Sequence, residues 1–163
     1  MVSLSNFYKE PTMPSRQTLL RAAIAASFVT LTLAGCGMMG ASSKMQMFEA
    51  SLTPSQEVPP TASTGSGAAE VQFDQTTNKL TWKVTYSGLT GPAAAGHIHG
   101  PAAMGANAGV VIPFTSITAQ PVMGEMTITP AQYADLAAGL YYVNIHSAKF
   151  PGGEIRGQLR KRM

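Results

Sequence analysis

Cysteine, histidine and charge are all scarce in this chain of 163 residues, which has one cysteine, three histidines and 12% charged residues. A single cysteine excludes a disulfide within the chain, so an apolar core must hold the fold unaided. The excess of Lys and Arg over Asp and Glu is small, 11 against 8, and three of the positive charges stand together in "RKR" near the end. Nucleic-acid binding requires a basic surface across the folded domain, and this distribution does not provide one.

A long apolar run is also missing. The longest candidate, Ala22–Ala34, has 13 residues, which is short of the roughly 20 that cross a bilayer. Three basic residues precede it, and a positive segment followed by a short apolar one is typical of a secretory leader. The positive segment is long, so translation can begin at Met1 or at Met13, and the sequence does not decide between them.

The only cysteine, Cys36, ends the phrase "LAGC" directly after this apolar segment. The phrase resembles the bacterial lipobox, in which the cysteine is lipidated and becomes the mature N-terminus. We therefore predict a lipoprotein signal peptide over residues 1–35, followed by a lipidated Cys36 and a flexible tether over residues 36–46. The alternative is a soluble secreted protein with a free thiol, which is a liability in an oxidising compartment. The prediction makes the protein exported and lipid-anchored to the bacterial cell envelope, on the periplasmic or outer-membrane side, with the membrane as a partner.

The rest of the chain alternates apolar and polar residues in short segments, which Gly, Pro, Asn and Ser separate. This pattern predicts a domain over residues 47–160, with a basic tail over residues 161–163. The predicted strands are Met45–Leu52, Gly67–Phe73, Lys79–Tyr86, Ala95–His99, Gly109–Phe114, Gly124–Thr129, Leu140–His146 and Glu154–Leu159.

One short helix is predicted among these strands, with Thr129 as N-cap, Pro130 at the first helical position and Gly139 as terminator. Short strands with turns between them favour an all-β fold. We expect an antiparallel Greek-key β-sandwich of about eight strands with one short helix.

The three histidines occur in two similar phrases, "AGHIHGPA" from residue 95 and "YVNIHSA" from residue 142. Side chains alternate along a strand, so His97 and His99 share one face and Ile98 takes the other. In the second phrase Asn144 and His146 lie opposite the apolar face. We therefore predict that all three imidazoles are surface groups that point away from the core.

Two histidines that alternate on a strand can bind one metal ion, and a third from a neighbouring strand completes a trigonal set. Three imidazoles suit copper or zinc, so we predict a metal site at His97, His99 and His146. Alternation alone does not bring His146 near the other two. The alternative is structural, because a neutral imidazole can also hydrogen-bond and brace the backbone of a loop.

Catalytic groups are not evident in the sequence. Ser147 follows His146 directly, and adjacent strand residues face opposite ways, so the two do not form a nucleophile and base. The glycine-rich loops do not lead from a strand into a helix as a phosphate-binding loop does. We predict no catalytic residues and a protein that is not an enzyme.

Three phrases of the chain resemble the chordin-like, or CHRD, domain: "QEVPP" from Gln56, "HIHGPA" from His97, and "YVNIHS" followed by "PGGEIRGQL". The resemblance covers about Phe48 to Leu159. It implies a secreted or anchored protein, and the growth-factor binding of animal chordins does not carry over because their cysteine-rich modules are missing. The closing phrase can also be a structural signature that includes Glu154, Arg156 and Gly157, with Glu154 and Arg156 paired across strands.

A weaker resemblance is to copper/zinc superoxide dismutases, which also have a His-X-His pair on a sandwich strand and a further copper ligand on a distant strand. Those enzymes need more metal ligands than three histidines provide. They also need a disulfide, which a single cysteine cannot form within the chain. Our leading hypothesis is a lipid-anchored binding module for copper or zinc. A structural or protein-interaction domain without metal is the alternative, and a dismutase-like redox enzyme is a third hypothesis.

Overall fold

The computed structural model describes residues 44–163, so the predicted signal peptide, Cys36 and most of the tether lie outside the described residues. Within this range a 3-10 helix spans Pro54–Gln56 and an α-helix, α1, spans Pro130–Ala137. No helix of residues 44–163 has both the length and the apolar character needed to cross a membrane. The strands are β1 (Met45–Leu52), β2 (Ser66–Asp74), β3 (Lys79–Ser87), β4 (Ala93–His99), β5 (Val110–Pro113), β6 (Val122–Thr127), β7 (Tyr142–Ser147), β8 (Ile155–Gln158) and β9 (Arg160–Lys161).

The strands form two sheets in which every neighbouring pair is antiparallel. One sheet has five strands in the order β6-β3-β2-β1-β9, and the other has four in the order β5-β4-β7-β8. The chain passes from one sheet to the other after β3, β5, β6 and β8. The predicted all-β sandwich with one short helix is confirmed.

The core between the sheets is built from the apolar face of each strand. In β3, Leu80, Trp82 and Val84 are buried while Lys79 and Lys83 are exposed. This is the two-residue period of a strand with one face in the core. The other strands add further buried side chains of the same kind, which include Phe48, Val71, Phe73, Ile98, Ile112, Val143, Ile145 and Ile155.

The observed strand ends differ a little from the predicted ones. Strand β1 has its predicted bounds, so Met45 and Gln46, which the predicted tether includes, pair in the sheet with β2. The short strand β9 was not predicted, and it pairs with β1. The backbone N–H of Arg162 also donates to the carbonyl of Met47 at 2.8 Å. The predicted basic tail therefore begins within the sheet.

Helix α1 begins and ends as its sequence predicts. The side chain of Thr129 accepts a hydrogen bond from the Gln132 backbone, and the Gln132 side chain accepts one from the Thr129 backbone. This reciprocal pair satisfies N–H groups that the first turn leaves free. Pro130 is the first helical residue, and Gly139, with a φ of 74°, follows the end of the helix. A positive φ there favours glycine.

The outer face of the four-stranded sheet is covered, which corrects the prediction that the histidines are surface groups. All six residues of β7 and all four of β8 are buried, and His99 and His146 are each only 8% exposed. The 101–109 segment folds back over this face, where Ala102 donates to the carbonyl of Leu140 at 2.8 Å. The alternation assigned the side chains to the correct face, but loops cover this face, so His99 and His146 are buried and His97 is only partly exposed.

The predicted pairing of Glu154 with Arg156 is wrong, because each side chain has other partners. Glu154 accepts hydrogen bonds from Ser63 Oγ at 2.6 Å and from the Thr90 backbone at 2.7 Å. Arg156 donates to the carbonyl of Ala106 at 2.8 Å. Both side chains are buried. Each therefore ties a different loop to the end of the sheet.

Candidate metal site

The structure brings the three predicted histidines together on the covered face of the four-stranded sheet. His97 and His99 lie on β4, and His146 lies on the adjacent strand β7, whose register pairs Ala95 with His146. One nitrogen from each imidazole lies within 4.8 Å of the other two. The shortest separation, 3.0 Å, joins His97 Nδ1 and His146 Nε2.

Backbone carbonyls orient two of the three rings. His99 Nδ1 lies 3.0 Å from the carbonyl oxygen of Ala108, and His146 Nδ1 lies 2.9 Å from that of Pro151. A carbonyl can only accept, so each Nδ1 carries a hydrogen and each Nε2 has a lone pair, which on His146 accepts from His97 Nδ1. Histidines that bind metals have their second nitrogen held in this way.

Two of the three imidazoles, those of His97 and His146, are held in the neutral form. Burial lowers the pKa of His97 to about 4, with the neighbouring His146 and His99 acting in the same direction. Burial also lowers the pKa of His146, although its bond to the Pro151 carbonyl acts in the opposite direction. Neutral imidazole is the form that binds a metal ion. The rings of His97 and His146 are therefore in their metal-binding form at neutral pH.

His99 Nε2 is a buried acceptor without a hydrogen-bond partner. A buried polar atom is normally bonded, and an exception calls for an ion, a water or a functional role to explain it. This atom belongs to the same cluster as the nitrogens of His97 and His146. A metal cation placed among the three rings would accept the lone pair of His99 Nε2.

A stack of three side chains supports His99 from behind. The rings of His99 and Tyr142 are parallel within 3°, with centroids 4.9 Å apart. On Tyr142 the guanidinium carbon of Arg156 lies 3.4 Å from the ring centroid, which is a close cation–π contact. Arg156 also donates to Asn107 Oδ1 at 3.0 Å. It therefore holds both the stack and the loop that carries Ala108.

Gly157, the third residue of the predicted structural signature, lies where a side chain cannot be accommodated. A Cβ at this position would lie 2.6 Å from the backbone oxygen of Ser51. The close approach allows the neighbouring residue of β8, Arg156, to exchange backbone hydrogen bonds with Thr53 at 2.9 and 3.1 Å. Gly157 therefore allows β1 and the segment after it to close over β8.

Two buried polar residues beside the histidines were not predicted as site residues. Glu57 is 5% exposed and Asn144 is 3% exposed, and Glu57 Oε1 and Asn144 Oδ1 have no hydrogen-bond partner. Burial raises the pKa of Glu57 to about 7, although the charge of Arg156 acts in the opposite direction. Asn144 could have been found from its position, because it shares a strand face with His146. Glu57 lies in the "QEVPP" phrase, but nothing local indicates its burial.

The comparisons with known proteins identify the family. The CHRD domain family matches residues 48–159, and the chain belongs to that family. CHRD domains form a family of non-enzymatic binding modules in secreted and extracellular proteins. The resemblance predicted from the three phrases is confirmed. No curated protein and no solved structure matches the chain.

The resemblance to copper/zinc superoxide dismutases stays an analogy. In residues 44–163 the three histidines are the one cluster of three or more His, Cys, Asp or Glu side chains that could hold a metal ion. A second, zinc-type cluster beside it is therefore missing from the part of the chain that the structure describes. What the arrangement offers is a single site with three nitrogen ligands.

Proposed function

We propose that this protein is a lipid-anchored, exported metal-binding module that holds one zinc or copper ion at His97, His99 and His146. The observation that carries the proposal is the cluster of three imidazole nitrogens within 4.8 Å of one another. Loop bracing alone would not require this cluster, because His99 and His146 already brace loops through Nδ1. The Nε2 atom of His99 has no partner, and that of His146 lies 3.0 Å from His97 Nδ1, so the two lone pairs face the other rings of the cluster.

The distances suit an ion of this size. Nitrogens that bind one zinc ion at about 2.0–2.1 Å lie roughly 3.3–3.6 Å from one another. The His97 and His146 nitrogens are closer than this, at 3.0 Å, while the full cluster spans 4.8 Å. Small rotations of the rings would bring all three to bonding distance. Three imidazoles leave a fourth position for another ligand, and copper(II) generally binds nitrogen sites more tightly than zinc.

The site can be reached from one side. His97 is only partly buried, while His99 and His146 are covered by loops. His97 pairs with Pro113 of β5, which is the edge strand of its sheet. We expect the ion to enter beside His97, because the other two rings are enclosed.

Titration of the purified chain with Zn²⁺ and Cu²⁺ tests the proposal. We expect one ion per chain, and we expect the double variant His97→Ala/His99→Ala to lose binding by a factor of about 100 or more, since it keeps one ligand of three. Thr85→Ala, an exposed change on the five-stranded sheet, is the control and should bind as the wild type does. Equal affinity in the double variant and the wild type would contradict the metal site and favour the structural alternative.

The anchor is tested separately at Cys36. We expect Cys36→Ser to move the protein from the membrane fraction to the soluble fraction, because the thiol that carries the lipid is lost. Ser43→Ala, in the same predicted tether, is the matched control and should remain in the membrane fraction. Membrane association of Cys36→Ser at the wild-type level would show that the lipobox interpretation is wrong.

A further inference from the structure

Asn144 lies at the centre of the face that carries the three histidines. The register of β4 and β7 places it directly opposite His97, where side chains of paired residues are about 4.5–5.5 Å apart at Cβ. His146 is two residues further along the same strand and faces the same way. His99 is opposite Tyr142 and so is diagonal to Asn144. Asn144 is thus the neighbour of every histidine of the site.

The side-chain oxygen of Asn144 has no partner although it is buried. The residue is 3% exposed, and Oδ1 makes no hydrogen bond. Leaving a buried amide oxygen unbonded costs about 1–3 kcal/mol. Arg156, across the next strand pair, does not supply the missing bond, because its NH1 and NH2 groups donate to Asn107 and Ala106.

The nitrogen end of the same amide is accounted for. The Asn144 side chain donates to Glu57, which helps to stabilise that carboxylate. Gly153, with a φ of 132°, has no side chain where Glu57 Oε1 and Asn144 Nδ2 approach it. The oxygen and nitrogen of an amide diverge from one carbon, so Oδ1 is directed away from the atom that accepts from Nδ2. Glu57 therefore sets the orientation of the amide.

Two acceptors on this face, beside the histidine cluster, lack a donor. Asn144 Oδ1 and His99 Nε2 are both buried and unpartnered. His146 Nε2 is an acceptor because its Nδ1 donates to Pro151, and its one partner is His97 Nδ1, itself a candidate ligand. Acceptors of this kind are satisfied together by one cation. The geometry points to Asn144 Oδ1 as a fourth ligand of the metal ion, which gives a set of three nitrogens and one oxygen.

This inference rests on the proposed metal site and narrows the choice of the metal ion that it binds. Four-coordinate nitrogen and oxygen sets suit zinc, and amide or carboxylate oxygens are hard ligands. Copper(I) prefers softer ligands and gains less from an oxygen. The fourth ligand therefore favours Zn²⁺ over Cu⁺ at this site. Glu57 acts behind Asn144 as a positioning residue for it, in the manner of the outer partners of metal ligands.

Dissociation constants for Zn²⁺ and Cu⁺, measured on the purified chain with competing chelators, test the assignment. Asn144→Leu should weaken Zn²⁺ binding by about 10- to 100-fold and Cu⁺ binding by less than about 3-fold. Asn144→Asp keeps the shape and adds a charged oxygen, so it should tighten Zn²⁺ binding. A general loss of structure would weaken both metals, so the change in the ratio of their dissociation constants separates the ligand role from a structural one.

Gln158→Leu is the matched control. Gln158 is 4% exposed, its Oε1 is also unpartnered, and it lies on the same face of the sheet, but it is separated from the histidines by Tyr142. It should leave both dissociation constants unchanged. If Asn144→Leu and Asn144→Asp bind Zn²⁺ as the wild type does, or if Asn144→Leu weakens Zn²⁺ and Cu⁺ equally, the assignment of Asn144 is overturned while the histidine site stands. Failure of the wild type to bind either metal would instead overturn the proposed function.

Discussion

The two sheets of the sandwich differ in their outer faces, although their strands share the same alternation of apolar and polar residues. In β3 of the five-stranded sheet, Lys79 and Lys83 are exposed on that face. In β7 of the four-stranded sheet, Asn144 and His146 occupy the corresponding face and are buried. Alternation identifies the two faces of a strand, and the connecting loops decide whether the polar face meets water or becomes a second, polar core.

The difference has an energetic consequence. A polar group on the exposed face can bond to water, whereas a buried one must find a partner in the protein or leave a costly unsatisfied atom. Most groups of the covered face are satisfied by loop backbone, as Arg156 is by Ala106. Gln158 Oε1, His99 Nε2 and Asn144 Oδ1 have no partner, and the last two lie beside the other histidines. The proposed metal site lies where the covered face leaves His99 Nε2 and Asn144 Oδ1 without partners.

The largest effect on stability is expected at Arg156. Arg156→Ala removes a buried cation from Tyr142, from the Ala106 carbonyl and from the vicinity of Glu57. We expect the free energy of unfolding to fall by about 3 kcal/mol, because breaking a buried charged network leaves its partners unpaired. Urea denaturation measures this.

Lys83→Ala is the matched change on the exposed face. Lys83 lies 3.9 Å from Glu70, with both side chains more than half exposed, so the free energy of unfolding should change by no more than about 0.5 kcal/mol. Equal losses in Arg156→Ala and Lys83→Ala would contradict the distinction between the two faces.

A smaller, pH-dependent effect is expected at Glu154. Burial raises its pKa, but the hydrogen bonds from Ser147, Ser63 and Thr90 outweigh this and hold the pKa below its usual range. A carboxyl group whose pKa is lowered by folding stabilises the native state above its unfolded pKa of about 4.3. That contribution is lost as the pH falls through the lower pKa of the folded state.

We therefore expect Glu154→Gln to be less stable than the wild type at pH 7 by about 1 kcal/mol, with a smaller difference at pH 3. Urea unfolding at a series of pH values measures this. Glu70→Gln, on the exposed face, controls for the removal of one carboxyl group. A stability difference between Glu154→Gln and the wild type that is constant from pH 7 to pH 3 would count against the role of the Glu154 carboxylate.

An effect as small as that of Lys83→Ala is expected at the exposed ion pair of Lys79 and Glu125. Their charged atoms lie 3.0 Å apart, and the side chains are 45% and 61% exposed. Such pairs contribute about 0–1 kcal/mol and are screened by salt. Lys79→Ala should change the free energy of unfolding by less than about 0.5 kcal/mol, and 1 M NaCl should abolish the difference. A loss as large as that of Arg156→Ala would show that the outer face of the five-stranded sheet also carries stabilising polar contacts.

Much of the fold was predictable because its signals are local. The two-residue period placed β1 at its observed bounds and separated Leu80 and Trp82 from Lys79 and Lys83. The cap at Thr129 located α1. Strand β9 was missed because two residues are too few for a period to show, and its formation depends on its pairing with β1.

For the site, the sequence by itself determined which residues share a strand face: His97 with His99, and Asn144 with His146. Backbone geometry dictates this relation, and distant parts of the chain do not change it. Only the tertiary structure decided that β4 and β7 are neighbours, that their register brings His146 to 3.0 Å from His97, and that loops bury the face. Those features depend on contacts between segments about 50 residues apart, which no local pattern encodes.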